Sequence, residues 1–184
     1  MAKSSQTLRE SERRLVAAWA ADCAERVLWL FEAENPTDGR PREAIARTRS
    51  YSRGELNTAM GIRQRFIDGG AAKGAKSPAA AAAARAAGQA AAICHMGAHA
   101  LGAAGYAVKA ASLAFRPAAT EDEIRWQVMH MGVEVRTILQ TVPRVGEDRS
   151  GPLGPGLLAS GQLGTIIRDL QIRLSRIDPI RPAP

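Results

Sequence analysis

His95 and His99 stand four residues apart in Cys94-His95-Met96-Gly97-Ala98-His99. On a continuous helix that spacing puts both imidazoles on one face, where they could share a metal ion. Cys94 and Met96 add soft sulfur donors of the kind that suits zinc or copper. The set is incomplete, because Met96 stands where a His-Glu-x-x-His zinc hydrolase has its glutamate. His130 is the chain's other histidine, and Gly97 weakens a continuous helix between the pair. Packing or partner contact is the default role for these histidines. No metal is expected, and Cys94, His95 and His99 are the ligands if one binds.

Nucleophilic catalysis needs a base and an orienting acid beside a serine or cysteine. Cys23 follows Asp22, but adjacent helical residues point in different directions. Cys23 also falls on an apolar stripe, as a buried and inert thiol does. Ser150-Gly151 and Ser160-Gly161 lack the strand–turn–helix setting of a nucleophile elbow. Gly151-Pro152-Leu153-Gly154-Pro155-Gly156 is locked by prolines and lacks the Gly-Lys-Ser/Thr ending of a phosphate loop. No catalytic residue and no cofactor are expected. Asp22 and Arg26, four apart, are spaced to pair with each other on one helix. Trp19, Trp29 and Trp126 read as core anchors, although the ten-residue separation of the first two sends them to different faces of one helix. At least one of that pair is therefore expected at the surface or an interface.

The elements that must position these residues are helices. Thr7-Leu8-Arg9-Glu10 has the spacing of a capping box. Leu8, Leu15, Trp19, Cys23, Val27, Leu30 and Phe31 then recur at helical steps until Asn35-Pro36. Pro41 opens a second helix that stops near Gly54, and a third spans about 55–67. Residues 69–77 form a linker, and Ser77-Pro78 reads as N-cap and first helical residue of an alanine run. One helix over 78–114 would be about 55 Å long, so a break near Met96-Gly97 is expected. Thr120-Glu121-Asp122-Glu123 is a second capping-box candidate. The pattern after it runs through Ile124, Trp126, Val128 and Met131, resumes at Val133, and closes at Pro143. A long loop follows over 144–156, then a last helix over about 162–175. The sum is an all-α fold, a single-domain bundle of about six to eight helices with alanine- and glycine-rich central helices. It spans 1–176, followed by a proline-rich tail over 177–184.

Hydrophobic residues make up 46% of the 184, but aromatics only 4%, so stability must come from many close helix contacts. Two cysteines are too few for a disulfide framework and fit a reducing compartment. The first residues carry no apolar run of signal-peptide type. The weakly polar stretch 79–114 holds Arg85, Gln89, His95, His99 and Lys109, which disfavours a bilayer. A cytoplasmic protein is expected. The formal charge is +7, and residues 35–76 hold nine positive against four negative side chains. That excess, around Arg40, Arg42, Arg47, Arg49, Arg53, Arg63, Arg65, Lys73 and Lys76, is the one basis for nucleic-acid binding. No aromatic-studded strand or nucleic-acid motif accompanies it.

Several stretches together resemble one family. Trp19-Ala20-Ala21-Asp22-Cys23-Ala24-Glu25-Arg26-Val27-Leu28 is similar to its opening helix. Gly39-Arg40-Pro41-Arg42-Glu43-Ala44-Ile45 and Ser52-Arg53-Gly54-Glu55 are similar to its second helix and that helix's end. Ala86-Ala87-Gly88-Gln89-Ala90-Ala91-Ala92, His95, His99-Ala100-Leu101-Gly102-Ala103-Ala104 and Tyr106-Ala107-Val108-Lys109-Ala110 resemble its alanine-rich centre. The family is that of the Imm-5-like putative immunity proteins, bacterial proteins of which some have been labelled exonuclease SbcC. The likeness covers about residues 12–130 and departs from the pattern at Tyr51, where tryptophan is expected, and at Gln89, where histidine is expected. It implies an all-helical fold and a role in binding and neutralising a protein toxin, and it carries over no catalytic residue. The exonuclease label finds no support, since the phosphate loop and coiled-coil arms that activity needs are absent.

The candidate binding residues are Asp22, Arg26, His95, His99, Tyr106 and Trp126. A protein partner is expected, a toxin that is not strongly basic, because the chain itself is basic. The alternatives are a small-molecule or metal site centred on His95 and His99, and nucleic-acid binding through 40–76. A homo-oligomer is left open by the glycine- and alanine-rich helices.

Overall fold

The computed structural model describes residues 4–59, 70–115 and 118–176. The helix expected over 55–67 lies mostly outside the described residues, and the tail 177–184 entirely so. Among the described residues there are eight α-helices, two 3₁₀ turns and no strand.

Helix α1, Glu10–Glu32, is the longest of the described helices, about 34 Å by its residue count. It is capped two residues later than Thr7-Leu8-Arg9-Glu10 predicts. Arg9 is the N-cap, and the Glu12 carboxylate accepts from the Arg9 backbone N–H at 2.8 Å and from its Nε at 2.9 Å. The reason is local: Ser4 instead caps a 3₁₀ turn over Ser5–Thr7, which takes Thr7 out of the cap position. The stripe predicted for α1 is buried at Trp19, Cys23, Val27 and Phe31 and partly buried at Leu8 and Leu30, but Leu15 is exposed and Val16 takes its place in the core.

Helix α2, Arg40–Ser52, has Pro41 in its first turn, where the missing N–H costs nothing. It ends before Gly54, whose φ of +83° suits glycine. Helix α3, Ala71–Gly74, is a single turn. Helix α4, Pro78–Ala92, starts as predicted, with Ser77 Oγ accepting from the Ala80 N–H at 3.1 Å. The alanine run then breaks over 93–98, and α5, His99–Ala114, begins. Helices α4 and α5 pack closely on each other and on α1, and α2 lies against α1 and α4.

The last three helices are α6 (Ala118–Met129), α7 (Val133–Gln140) and α8 (Gly161–Arg176). Helices α6 and α8 pack on α5, and α7 on α1 and α8. Helix α6 starts two residues before Thr120, so Thr120 is not a cap, and Glu123 is a buried residue of the helix interior. Close approach of α5 to α8 depends on Gly105. A Cβ there would stand 2.8 Å from Ile167 Cγ1 and 3.1 Å from Leu163 Cδ1.

The long loop 144–156 is held by a residue the sequence does not mark. Gln6 is fully buried, and its Nε2 donates to Asp148 Oδ2 and to the Ser150 carbonyl, both at 2.6 Å. Its Oε1 accepts from the Leu153 N–H at 2.9 Å. The carbonyls of Gln6 and Thr7 accept from Ala98 and Gly97 in the α4–α5 connection. The N-terminal segment thus fastens two distant loops together, and polar groups that would otherwise be buried without partners are satisfied.

Candidate functional site

Three of the six candidate residues meet on one face of the bundle. Asp22, Arg26 and Trp126 line an open cavity of about 320 Å³ together with Glu25 and His130. Helix α1 supplies Asp22, Glu25 and Arg26 on its solvent-facing stripe, while α6 and the residue after it supply Trp126 and His130. The i,i+4 pair expected between Asp22 and Arg26 is not the pairing that forms. Asp22 bonds Arg49 of α2 at 2.8 Å, and Arg49 also binds Glu25. Arg26 turns the other way, to Glu123 of α6 at 3.0 Å. Three interhelical ion pairs thus stand in place of one intrahelical pair and lock α1 to both neighbours.

The Arg26–Glu123 pair sits at the boundary of the core. The Glu123 side chain is 6% exposed and that of Arg26 38%. Beneath them Gln127 is fully buried, its Nε2 donating to Glu123 Oε1 and to the Ala104 carbonyl, both at 3.2 Å. The Trp19 indole N–H donates to the Gln127 carbonyl at 3.0 Å, so the buried tryptophan ties α1 to the same turn of α6. Above them the Arg26 guanidinium lies over the Trp126 ring, Cζ to centroid 3.9 Å. His130 stacks on Trp126 with centroids 4.2 Å apart. The His130 Nδ1 lies 2.9 Å from the Trp126 carbonyl, so that nitrogen carries the proton. Cys23, one residue from Asp22, is fully buried, and burial pushes its thiol pKa well up, with Glu123 and Asp22 adding to the shift.

The face continues into exposed aromatics. Trp29, three residues beyond Arg26 on α1, is 51% exposed, and Phe115 at the end of α5 is 59% exposed. Their rings lie 6.0 Å apart, tilted by 42°. Trp19 is a core anchor as expected, whereas Trp29 is exposed and not a core anchor, in keeping with their separation on one helix. Met129, next to His130, is exposed as well. Phe115 carries no signal in the sequence, and Glu123, His130 and Arg49 are marked there only for other roles: a helix cap, a third histidine and a basic segment. Only the packing of α2 and α6 on α1 brings them to the candidate residues.

The other candidates lie elsewhere. His95 is exposed in the break between α4 and α5, and His99 is the first residue of α5. The break removes the shared helical face on which joint ligation depended. The His99 Nδ1 lies 2.8 Å from Gln89 Oε1 of α4, and Gly102 gives that amide its room, since a Cβ there would overlap Gln89 Oε1. Cys94 is buried and donates to the Ala91 carbonyl at 3.2 Å. Among the described residues no three His, Cys, Asp or Glu side chains are grouped to hold a metal ion. Tyr106 is buried on α5 with Arg85 over its ring at 5.9 Å, and burial raises its pKa. The arginines of 40–53 are matched by carboxylates. Arg40 pairs with Asp38, Arg42 with Glu32, Arg47 with Glu43, Arg49 with Asp22 and Glu25, and Arg53 with Glu55. Arg63 and Arg65 lie outside the described residues. No described helix is long and apolar enough to cross a membrane.

Fold and face together define an all-helical protein that presents arginine and aromatic side chains on one open face. The model of one family, the Imm-5 like putative immunity protein, matches residues 6–134, and the chain belongs to that family. The match takes in α1 to α6, and with them every residue of the cavity. No curated protein and no solved structure matches the chain.

Proposed function

We propose that this protein is an immunity protein that binds and neutralises a protein toxin through the face made by Arg26, Trp29, Phe115 and Trp126. The observation that carries the reading is the exposed Trp29–Phe115 pair beside the Arg26–Trp126 stack. Tryptophan and arginine dominate binding hot spots, and such a cluster on an open surface suits a protein better than a small ligand. Family membership supports an immunity role. The +7 charge favours a partner with a neutral or acidic surface.

The test is co-expression with candidate toxins encoded beside the gene, scored by growth. Wild type is expected to rescue growth and to co-purify with one of them. The double variant Trp29→Ser with Phe115→Ser is expected to lose both while keeping its helical circular dichroism. Rescue undiminished in that variant would overturn the assignment of this face. So would a homodimer closed over Trp29 and Phe115 that persists when the toxin is added, seen by sedimentation.

A further inference from the structure

Arg26 has donors left over. A guanidinium offers five N–H groups in a rigid fork. Both hydrogen bonds of Arg26 leave from Nε, to Glu123 Oε1 at 3.2 Å and Oε2 at 3.0 Å. Among the described residues Nη1 and Nη2 make none. The group is also held still. The buried Glu123 grips one edge, Gln127 Nε2 fixes that carboxylate, and the Trp126 ring supports the guanidinium plane from 3.9 Å. The rotamer entropy of a long side chain is therefore largely spent before any partner arrives.

The anions around the cavity are already engaged. Asp22 and Glu25 share Arg49, and Glu123 takes the Nε edge of Arg26. A cation arriving at Asp22 and Glu25 would have to displace Arg49 and sit beside Arg26. A carboxylate arriving at the Nη edge displaces only water, and its two oxygens match the fork. Arg49 neutralises much of the charge of Asp22 and Glu25 on that side of the cavity, so the anchor rests on the local geometry of Arg26 and not on the chain's net charge.

We infer that the Nη edge of Arg26 is the receptor for an aspartate or glutamate side chain of the protein partner, with apolar neighbours of that side chain covering Trp29 and Phe115. The inference rests on the proposed protein-binding role of this face and names the chemistry of the partner's anchor.

Blocked pentapeptides with one apolar frame and a central Glu, Gln or Lys are the probes, titrated against the full-length protein. The readouts are the Trp126 indole N–H and Arg26 Nε–H resonances. The Glu peptide is expected to shift both, with the Gln and Lys peptides roughly tenfold weaker, as befits one charge-assisted contact. Arg26→Gln should abolish the preference, and Glu123→Gln, which leaves the fork unanchored, should weaken it. Equal response to Glu and Gln peptides, or a preference for Lys, overturns the inference without any reliance on a variant that must fold. Free glutamate binding as tightly as the peptide also overturns it, since the site would then serve a small acid. If the toxin complex forms and needs Trp29 and Phe115 but is unchanged by Arg26→Gln, this inference fails and the proposed function stands. If the double variant still rescues growth, the proposed function fails, and the peptide preference reports on Arg26 separately.

Discussion

Arg26 and Glu123 face each other across α1 and α6 with unequal burial, the carboxylate inside and the guanidinium half in solvent. The inequality predicts unequal costs of truncation. Arg26→Ala leaves a buried carboxylate with one amide donor from Gln127 and also removes the stack on Trp126. It should cost about 1–3 kcal/mol, between the limits for exposed and buried pairs. Glu123→Gln removes the buried charge and lets Arg26 turn to water, so it should cost less, within about 1 kcal/mol. Urea unfolding of the two variants checks the order, and a larger loss for Glu123→Gln contradicts it.

Asp148 and Gln6 predict a pH dependence. The Gln6 amide holds the Asp148 carboxyl below its ordinary value of 3.8, with the Arg149 backbone N–H helping. A depressed carboxylate contributes stability that is present above its ordinary pKa and is lost as pH falls through the folded value. Asp38, held down by Arg40, and Glu121, held down by Arg173, act in the same sense. Asp148→Asn should therefore lower the melting temperature at neutral pH. The gap to wild type should close as pH drops below 3.8. A gap that stays constant from pH 7 to pH 3 would assign the loss to geometry alone.

The residues that sequence reasoning placed well are those whose partners are close along the chain. Ser77 caps α4 because Ala80, three residues on, supplies the N–H, and Pro41 starts α2 because its ring needs only its own φ. Trp19 and Trp29 part company because a helix turns through 100° per residue. Where the structure departs from local spacing, distant elements compete for the same groups. Asp22 and Arg26 have the spacing to pair, but Arg49 and Glu123 reach them first once α2 and α6 are packed. Glu123 has the spacing of a capping box, but α6 begins earlier and carries it into the core. Gln6 gave no signal at all, since what it satisfies lies more than 140 residues away.

Cys23 predicts a protected thiol. It is fully buried beside two carboxylates, and burial raises its pKa, so both access and thiolate fraction are low. Iodoacetamide labelling mapped by mass spectrometry should modify Cys23 in the native protein about 10³-fold or more slower than in urea, at a rate following the unfolded fraction. Fast native labelling would mean that α1 opens locally.

Gly88 and Gly105 both sit inside helices, and their surroundings predict opposite signs for the same substitution. A Cβ on Gly88 would meet nothing within 4 Å. Gly88→Ala should therefore raise stability by up to about 1 kcal/mol, through the lower entropy of the unfolded chain and better helix propensity. A Cβ on Gly105 would stand 2.8 Å from Ile167 Cγ1, close to the backbone of α8 where the side chain has little freedom to retreat. The same propensity gain is then set against overpacking of about 1–3 kcal/mol, and the net effect should be a loss. Thermal melts of the two single variants test this directly. A stabilised Gly105→Ala would mean that α5 and α8 are not in the close contact on which the packing of the alanine-rich core depends.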